Sequence, residues 1–136
     1  MKVFINNSQQ AKPLARLVVK ALRQAGLDVW YDEDEIYPGD NWAKITGEGL
    51  EKSDAMVVLL TPDVPCSPNV QRNVSFALGN NRYAWRVIPV LAGIDEAVAL
   101  EDFAWILTHL KTIEIPTVDK QEEGINKITQ ALRAVA

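Results

Sequence analysis

Every side chain from Ala55 to Leu60 is apolar, and Val87-Ile88-Pro89-Val90-Leu91 repeats that character further along the chain. Runs this short and this unbroken do not alternate as a half-exposed strand would. They suit strands covered on both faces, the condition of a parallel sheet packed between helices. Lys2–Ile5, Leu27–Tyr31 and Lys111–Ile115 are the other strand candidates, and amphipathic stretches separate them all.

The first of those stretches is the clearest helix. Leu14, Leu17, Val18, Ala21, Leu22 and Ala25 follow helical spacing and are expected on one inward face. Ser8 is a candidate cap, Pro13 suits a first turn and Gly26 a stop. A second helix is expected over Asn41–Lys52, capped by Asp40, with Trp42, Ile45 and Leu50 inward. A third covers Asn69–Leu78, with Val70, Val74, Ala77 and Leu78 inward and Gly79-Asn80-Asn81 closing it. Phe103–Leu110 reads as a short fourth helix. A fifth, from about Lys120, presents Ile125, Ile128, Leu132 and Val135.

Alternating strands and helices imply right-handed crossovers. The expected fold is α/β: a flavodoxin-like three-layer sandwich, a five-stranded parallel sheet of order 2-1-3-4-5 flanked by five helices. All 136 residues form one domain, 1–136. Ligands of such sheets bind beyond the carboxyl ends of the strands, at the switch point between strands one and three. The segments Asn6–Lys12, Asp32–Asp40 and Thr61–Pro68 therefore bound the expected cleft.

Composition narrows the chemistry. With 48% hydrophobic residues and a formal charge of −4, the chain can bury a core and lacks the clustered Lys and Arg of a nucleic-acid binder. A single cysteine, Cys66, and a single histidine, His109, make neither a disulfide nor a structural zinc site, so no metal is expected. The opening Met1-Lys2-Val3-Phe4-Ile5 has no long apolar signal region, and no apolar run approaches the roughly 18 residues of a membrane span. The expected location is the cytoplasm, without a membrane partner. No glycine-rich phosphate loop follows a strand, and the first strand runs into Asn6-Asn7-Ser8-Gln9-Gln10 rather than a carboxylate pair that could hold Mg²⁺.

Asp32-Glu33-Asp34-Glu35 reads as a solvated acidic loop, since its spacing matches no EF-hand. Ile36-Tyr37-Pro38-Gly39-Asp40 reads as a shaped turn, with Pro38 fixing φ and Gly39 permitting φ > 0. Trp30, Trp42, Trp85 and Trp105 are expected in the core; Trp85, beside Tyr83 and Arg86, is the one that also suits the surface.

Taken in order, several segments resemble a bacterial Toll/interleukin-1 receptor (TIR) domain. They are Lys2–Ile5, Ala25-Gly26-Leu27-Asp28-Val29-Trp30-Tyr31-Asp32, the BB-loop-like Glu35–Asp40, Ser53–Pro62, Val87–Leu91 and Trp105-Ile106-Leu107. The resemblance implies either cleavage of the nicotinamide–ribose bond of NAD⁺ or assembly with other TIR domains. In the enzymes an essential glutamate follows a tryptophan by four residues early in the third helix. A carboxylate there can stabilise the oxocarbenium-like centre left by departing nicotinamide. Here Asn69 stands at the tryptophan position and Asn73 at the glutamate position. Asn6-Asn7-Ser8 replaces a common Ser-Tyr-Ser, and Ala11 a common aspartate.

The resemblance thus implies a signalling and assembly module of the kind found in bacterial immunity, catalytically impaired, with no bound cofactor. Other TIR domains are the expected partners, and NAD⁺ or ADP-ribose is an expected ligand of a pseudoenzyme cleft. The expected nucleotide contacts are Asn6, Ser8, Trp30, Asp40, Trp42 and Asn69 around Asn73, and the interaction loop is Glu35, Ile36, Tyr37, Pro38 and Gly39. The alternative is an NAD⁺ glycohydrolase giving ADP-ribose or its cyclic form through another carboxylate, such as Glu35, Asp40 or Glu48.

Overall fold

The apolar runs form the strands that their composition predicts. In the computed structural model, which describes residues 1–63, 67–93, 110 and 112–135, the strands are β1 (Lys2–Asn7), β2 (Asp28–Trp30), β3 (Ala55–Leu60), β4 (Val87–Ala92) and β5 (Ile113–Ile115). The α-helices among the described residues are α1 (Lys12–Gln24), α2 (Asp32–Glu35), α3 (Trp42–Lys52), α4 (Pro68–Leu78) and α5 (Gln121–Val135). All strand pairs are parallel, in the order β2-β1-β3-β4-β5.

Alternate residues of each central strand enter separate cores. Val3, Ile5, Val57 and Val90 pack under α1 and α5. Phe4, Met56, Val58 and Leu91 pack under α3 and α4. Every residue of β3 and β4 is buried, which explains why neither run alternates. Pro89 is tolerated in this interior strand for a local reason. Arg86 accepts a bond from the Met56 N–H, so alternation turns the Pro89 nitrogen toward β5, whose pairing begins only at Val90.

Several expectations need correction. Leu17 is 46% exposed; the inward stripe of α1 is Leu14, Ala15, Val18, Val19 and Leu22, because α1 packs on α5 as well as on the sheet. Ser8 does not cap α1, which starts at Lys12 behind an uncapped Ala11 with Pro13 in its first turn. Asn41 rather than Asp40 caps α3, accepting from the Lys44 N–H at 3.2 Å. Trp42 is 48% exposed and Trp85 86% exposed, so of the described tryptophans only Trp30 belongs to the core. Asp32–Glu35 is not an irregular loop but one helical turn. The expected helix over Phe103–Leu110, with Trp105 and His109, lies outside the described residues apart from Leu110, as does Cys66.

Gly49 governs how closely α3 approaches the sheet. A Cβ there would overlap the ring of Trp30, which stacks in parallel on Phe4 at 4.6 Å between centroids. Gly47, one half-turn away, faces open space.

Candidate functional site

A cleft of about 750 Å³ opens at the carboxyl end of the sheet, where β1 and β3 send their chains to opposite faces. Its floor is the last half of β1 with Trp30, one wall is α3, and the other is the first turns of α4. Of the residues expected there, Asn6, Ser8, Trp30, Trp42, Asn69 and Asn73 all line it. Asp40 does not, and neither do the alternative carboxylates Glu35 and Glu48.

Asn6 is buried on β1, and its amide is oriented by α4. Its Nδ2 donates to the Val70 carbonyl at 3.0 Å, leaving Oδ1 to accept from Asn73 Nδ2 at 3.5 Å, the outer limit of a hydrogen bond. The pair is matched as acceptor and donor. A carboxylate at position 73 would set two acceptors against each other, and Asn6 could rotate its amide only by giving up the Val70 bond.

Ser8 is buried and tied to the exit of β3. Its hydroxyl lies 2.7 Å from Thr61 Oγ1 and 2.6 Å from Asp63 Oδ1, while Thr61 Oγ1 lies 2.5 Å from the same carboxylate oxygen. Two hydroxyl protons serve three contacts, so the cluster holds itself together without a ligand. The Gln10 N–H donates to the other Asp63 oxygen at 3.1 Å. Burial, the largest single influence, opposes ionisation of Asp63, but these donors together hold its carboxyl below the usual carboxylate range. Asp63 escaped the sequence reading; its place just beyond a buried strand end was the available signal.

Two carboxylates do reach the cleft, from α2. Glu33 makes a two-pronged bond to Arg16, with both contacts at 2.9 Å, and lies 4.0 Å from Lys12 Nζ. The Arg16 bond is the main reason that its carboxyl is held low. Asp34 pairs with Arg23 at 2.7 Å, so α2 is fastened to α1 at two points. Asp32 differs. Burial first, then the charges of Glu33 and Asp34, push its carboxyl above the usual range against the Glu33 N–H and Lys12. Its Oδ1 is sealed from solvent with no hydrogen-bond partner among the described residues. Lys12 and Arg72 add cationic groups to the rim, and Trp42 and Phe76 add rings.

The loop between α2 and α3 is a locked turn. The Asp40 N–H donates to the Tyr37 carbonyl at 3.0 Å, the Asp40 carboxylate accepts from the Tyr37 N–H at 2.8 Å, and Gly39 takes φ +91° behind Pro38. Asp40 is thus engaged by its own turn. Tyr37 stands 66% exposed, whereas Ile36 reaches in against the second core and the cleft. No group of three or more metal-ligating side chains occurs among the described residues, and none of their helices is long and apolar enough to cross a membrane.

A family model described as TIR domain matches residues 3–129. Among curated proteins, the probable 2′ cyclic ADP-D-ribose synthase TcpO of Methanobrevibacter olleyae is 34% identical over 62 residues, 45% of this chain and 18% of that protein. The 2′ cyclic ADP-D-ribose synthase BtTIR of Bacteroides thetaiotaomicron is 35% identical over 60 residues, 43% of this chain and 21% of that protein. The matched stretch is thus about a fifth of the length of either relative. The TIR domains of the activated Roq1 resistosome, which directly recognises the effector XopQ, share the fold at a TM-score of 0.77. They are 13% identical, and 99% of each chain is covered.

Proposed function

This chain belongs to the TIR-domain family, and from that premise we propose that it is a TIR–TIR association module with an impaired NAD⁺ cleft. Its cleft keeps the room and polarity for NAD⁺ or ADP-ribose but carries an amide, Asn73, at the position where the family's enzymes carry their essential carboxylate. The observation that carries this reading is the Asn73–Asn6 amide pair. An amide carries no negative charge, so it cannot stabilise an oxocarbenium-like centre as a carboxylate does. Asn6, committed to Val70, is fitted to a donor at position 73 rather than to a carboxylate.

The association half of the reading rests on the locked loop Glu35–Gly39 with its exposed Tyr37, and on family membership. TIR domains of the Roq1 resistosome operate within an assembly. The nucleotide half draws on the cyclic ADP-ribose synthases that this chain resembles over part of its length.

The test is nicotinamide release from NAD⁺ by concentrated purified protein. The wild-type chain should give none above the uncatalysed rate. Asn73→Glu with Asn69→Trp should create turnover, and adding Asn6→Ser, which removes the opposing acceptor, should raise it. Wild-type turnover that survives Asn73→Ala would refute the impairment.

One observation favours a second reading, residual NAD⁺ cleavage. Asp32, not Glu35, Asp40 or Glu48, is a carboxylate that faces the cleft without an ion-pair partner among the described residues. On that reading, turnover would be abolished by Asp32→Asn. Calorimetry with ADP-ribose separates a binding cleft from an empty one, and no heat at millimolar ligand would remove the nucleotide from the proposal.

A further inference from the structure

One of the two cleft amides is only half used. Asn6 is committed: its Nδ2 donates to the Val70 carbonyl at 3.0 Å and to Met56 Sδ at 3.7 Å, and its Oδ1 accepts from Asn73 Nδ2. Asn73 spends one amide proton on that contact. Its second proton and its Oδ1 have no partner among the described residues, and it stands half-buried on the cleft wall. A flipped amide would set Oδ1 against the Asn6 oxygen. Asn73 therefore holds a free acceptor and a free donor side by side in one fixed sense.

The space around it suits a flat, uncharged group. Trp42 and Thr46 on α3, and Asn69, Asn73 and Phe76 on α4, follow one another at about one-turn steps down the two walls. Beside Thr46 the α3 wall contains Gly47, where an added Cβ would meet nothing within 4 Å. Trp42 and Phe76 supply partly exposed rings on the outer and inner sides of that gap. Of the charged groups lining the cleft, Glu33 is matched by Arg16, and Lys12 attracts both Glu33 and Asp32. Arg72, next to Asn73, is in no ion pair among the described residues. Glu35, Asp40, Lys44, Glu48 and Asp63 do not line the cleft. At the mouth α4 begins without a side-chain cap from Ser67, so its first N–H groups add partial positive charge near Arg72. A phosphate suits this mouth. A cationic ring does not suit Asn73, whose amide has no charge to offset Arg72.

We propose that the cleft takes an adenine nucleotide base first, with Asn73 accepting from the N6 amino group and donating to N7 while the phosphates meet Arg72 and the start of α4. This is the two-pronged pairing by which an asparagine recognises adenine. The gap at Gly47 admits the ring system. The proposal rests on the nucleotide half of the reading above and specifies which end enters: adenine, rather than nicotinamide, lies beside position 73.

Calorimetry on the purified chain with ADP, inosine diphosphate, nicotinamide mononucleotide, ADP-ribose and pyrophosphate tests it. ADP should bind about tenfold or more tightly than inosine diphosphate, in which an oxygen replaces the amino group and faces Asn73 Oδ1. Asn73→Ala should bring those two affinities together. Gly47→Leu should weaken ADP to a similar extent by filling the gap. It should nevertheless melt at or above the wild-type temperature, since leucine is the better helix former. Equal binding of ADP and inosine diphosphate by the wild-type chain would overturn this inference alone. So would a preference that survives Asn73→Ala, ADP affinity unchanged by Gly47→Leu, or nicotinamide mononucleotide or pyrophosphate binding as tightly as ADP. Failure of ADP-ribose, ADP and nicotinamide mononucleotide alike to bind at millimolar concentration would remove the nucleotide reading with it.

Discussion

Alanine introduced at Gly47 and at Gly49 should move stability in opposite directions, although both lie in one helix. An added Cβ at Gly47 meets open space, so the substitution collects the helix-propensity difference of about 1 kcal/mol. At Gly49 the same gain is set against a Cβ placed 2.3, 2.6 and 2.7 Å from three Trp30 ring atoms. The indole has little room to retreat, being buried and stacked in parallel on Phe4 at 4.6 Å. Overpacking of this kind costs about 1–3 kcal/mol, leaving a net loss of up to about 2 kcal/mol. With an unfolding entropy of about 2.1 cal/mol/K per residue over 136 residues, each kcal/mol shifts Tm by about 3.5 °C. Gly47→Ala should therefore raise Tm by about 3.5 °C and Gly49→Ala should lower it by up to about 7 °C. Calorimetry or thermal melts followed by circular dichroism would measure both. Equal upward shifts would show that α3 does not press on Trp30, and the floor of the cleft would need another account.

Tyr83→Phe leaves the buried Leu50 carbonyl with only the long 3.5 Å contact from Arg82, and should cost about 1–2 kcal/mol in urea unfolding; no change would mean that the carbonyl finds another donor. Burial also pushes the Tyr83 hydroxyl up to about 12, so its bond should persist across the neutral range. Because the carboxyl of Asp32 is raised in the folded chain, its ionisation disfavours folding, and this loss sets in as pH climbs past the ordinary carboxylate value of 3.8. Asp32→Asn should therefore be more stable than wild type at neutral pH, with the difference vanishing in acid; a variant less stable at pH 7 would contradict the burial argument. Asp63 has the opposite sign: Asp63→Asn should cost stability at neutral pH and progressively less as acid protonates the wild-type carboxylate.

Where burial alone decides, the sequence was readable. Ala55–Leu60 needed no context, because a six-residue apolar run covered on both faces has one structural meaning. The position of the cleft followed from strand order. Side chains that choose among polar partners were not readable. Ser8 could cap a helix, but it meets Asp63, a residue 55 positions away. Asp40 and Asn41 are both good caps, and only the turn that claims the Asp40 carboxylate leaves Asn41 to serve α3. The acidic run looked solvated because α1 and its arginines could not be placed beside it. Helical periodicity puts Trp42 inward, but at the start of α3 it lines the cleft and stands 48% exposed.

The cleft owes its existence to a difference in strand length. β2 pairs only with Lys2–Phe4 of β1, while β3 pairs with Val3–Asn7. From Ile5 to Asn7 the sheet therefore has no paired strand on that side, a step about 10 Å long at 3.3 Å per residue. Strand pairing sets this step, so residues at its lip can be exchanged without removing it. The side chain at position 73 can change while the socket stays, and the same separation would let a designer fit new chemistry without redrawing the fold.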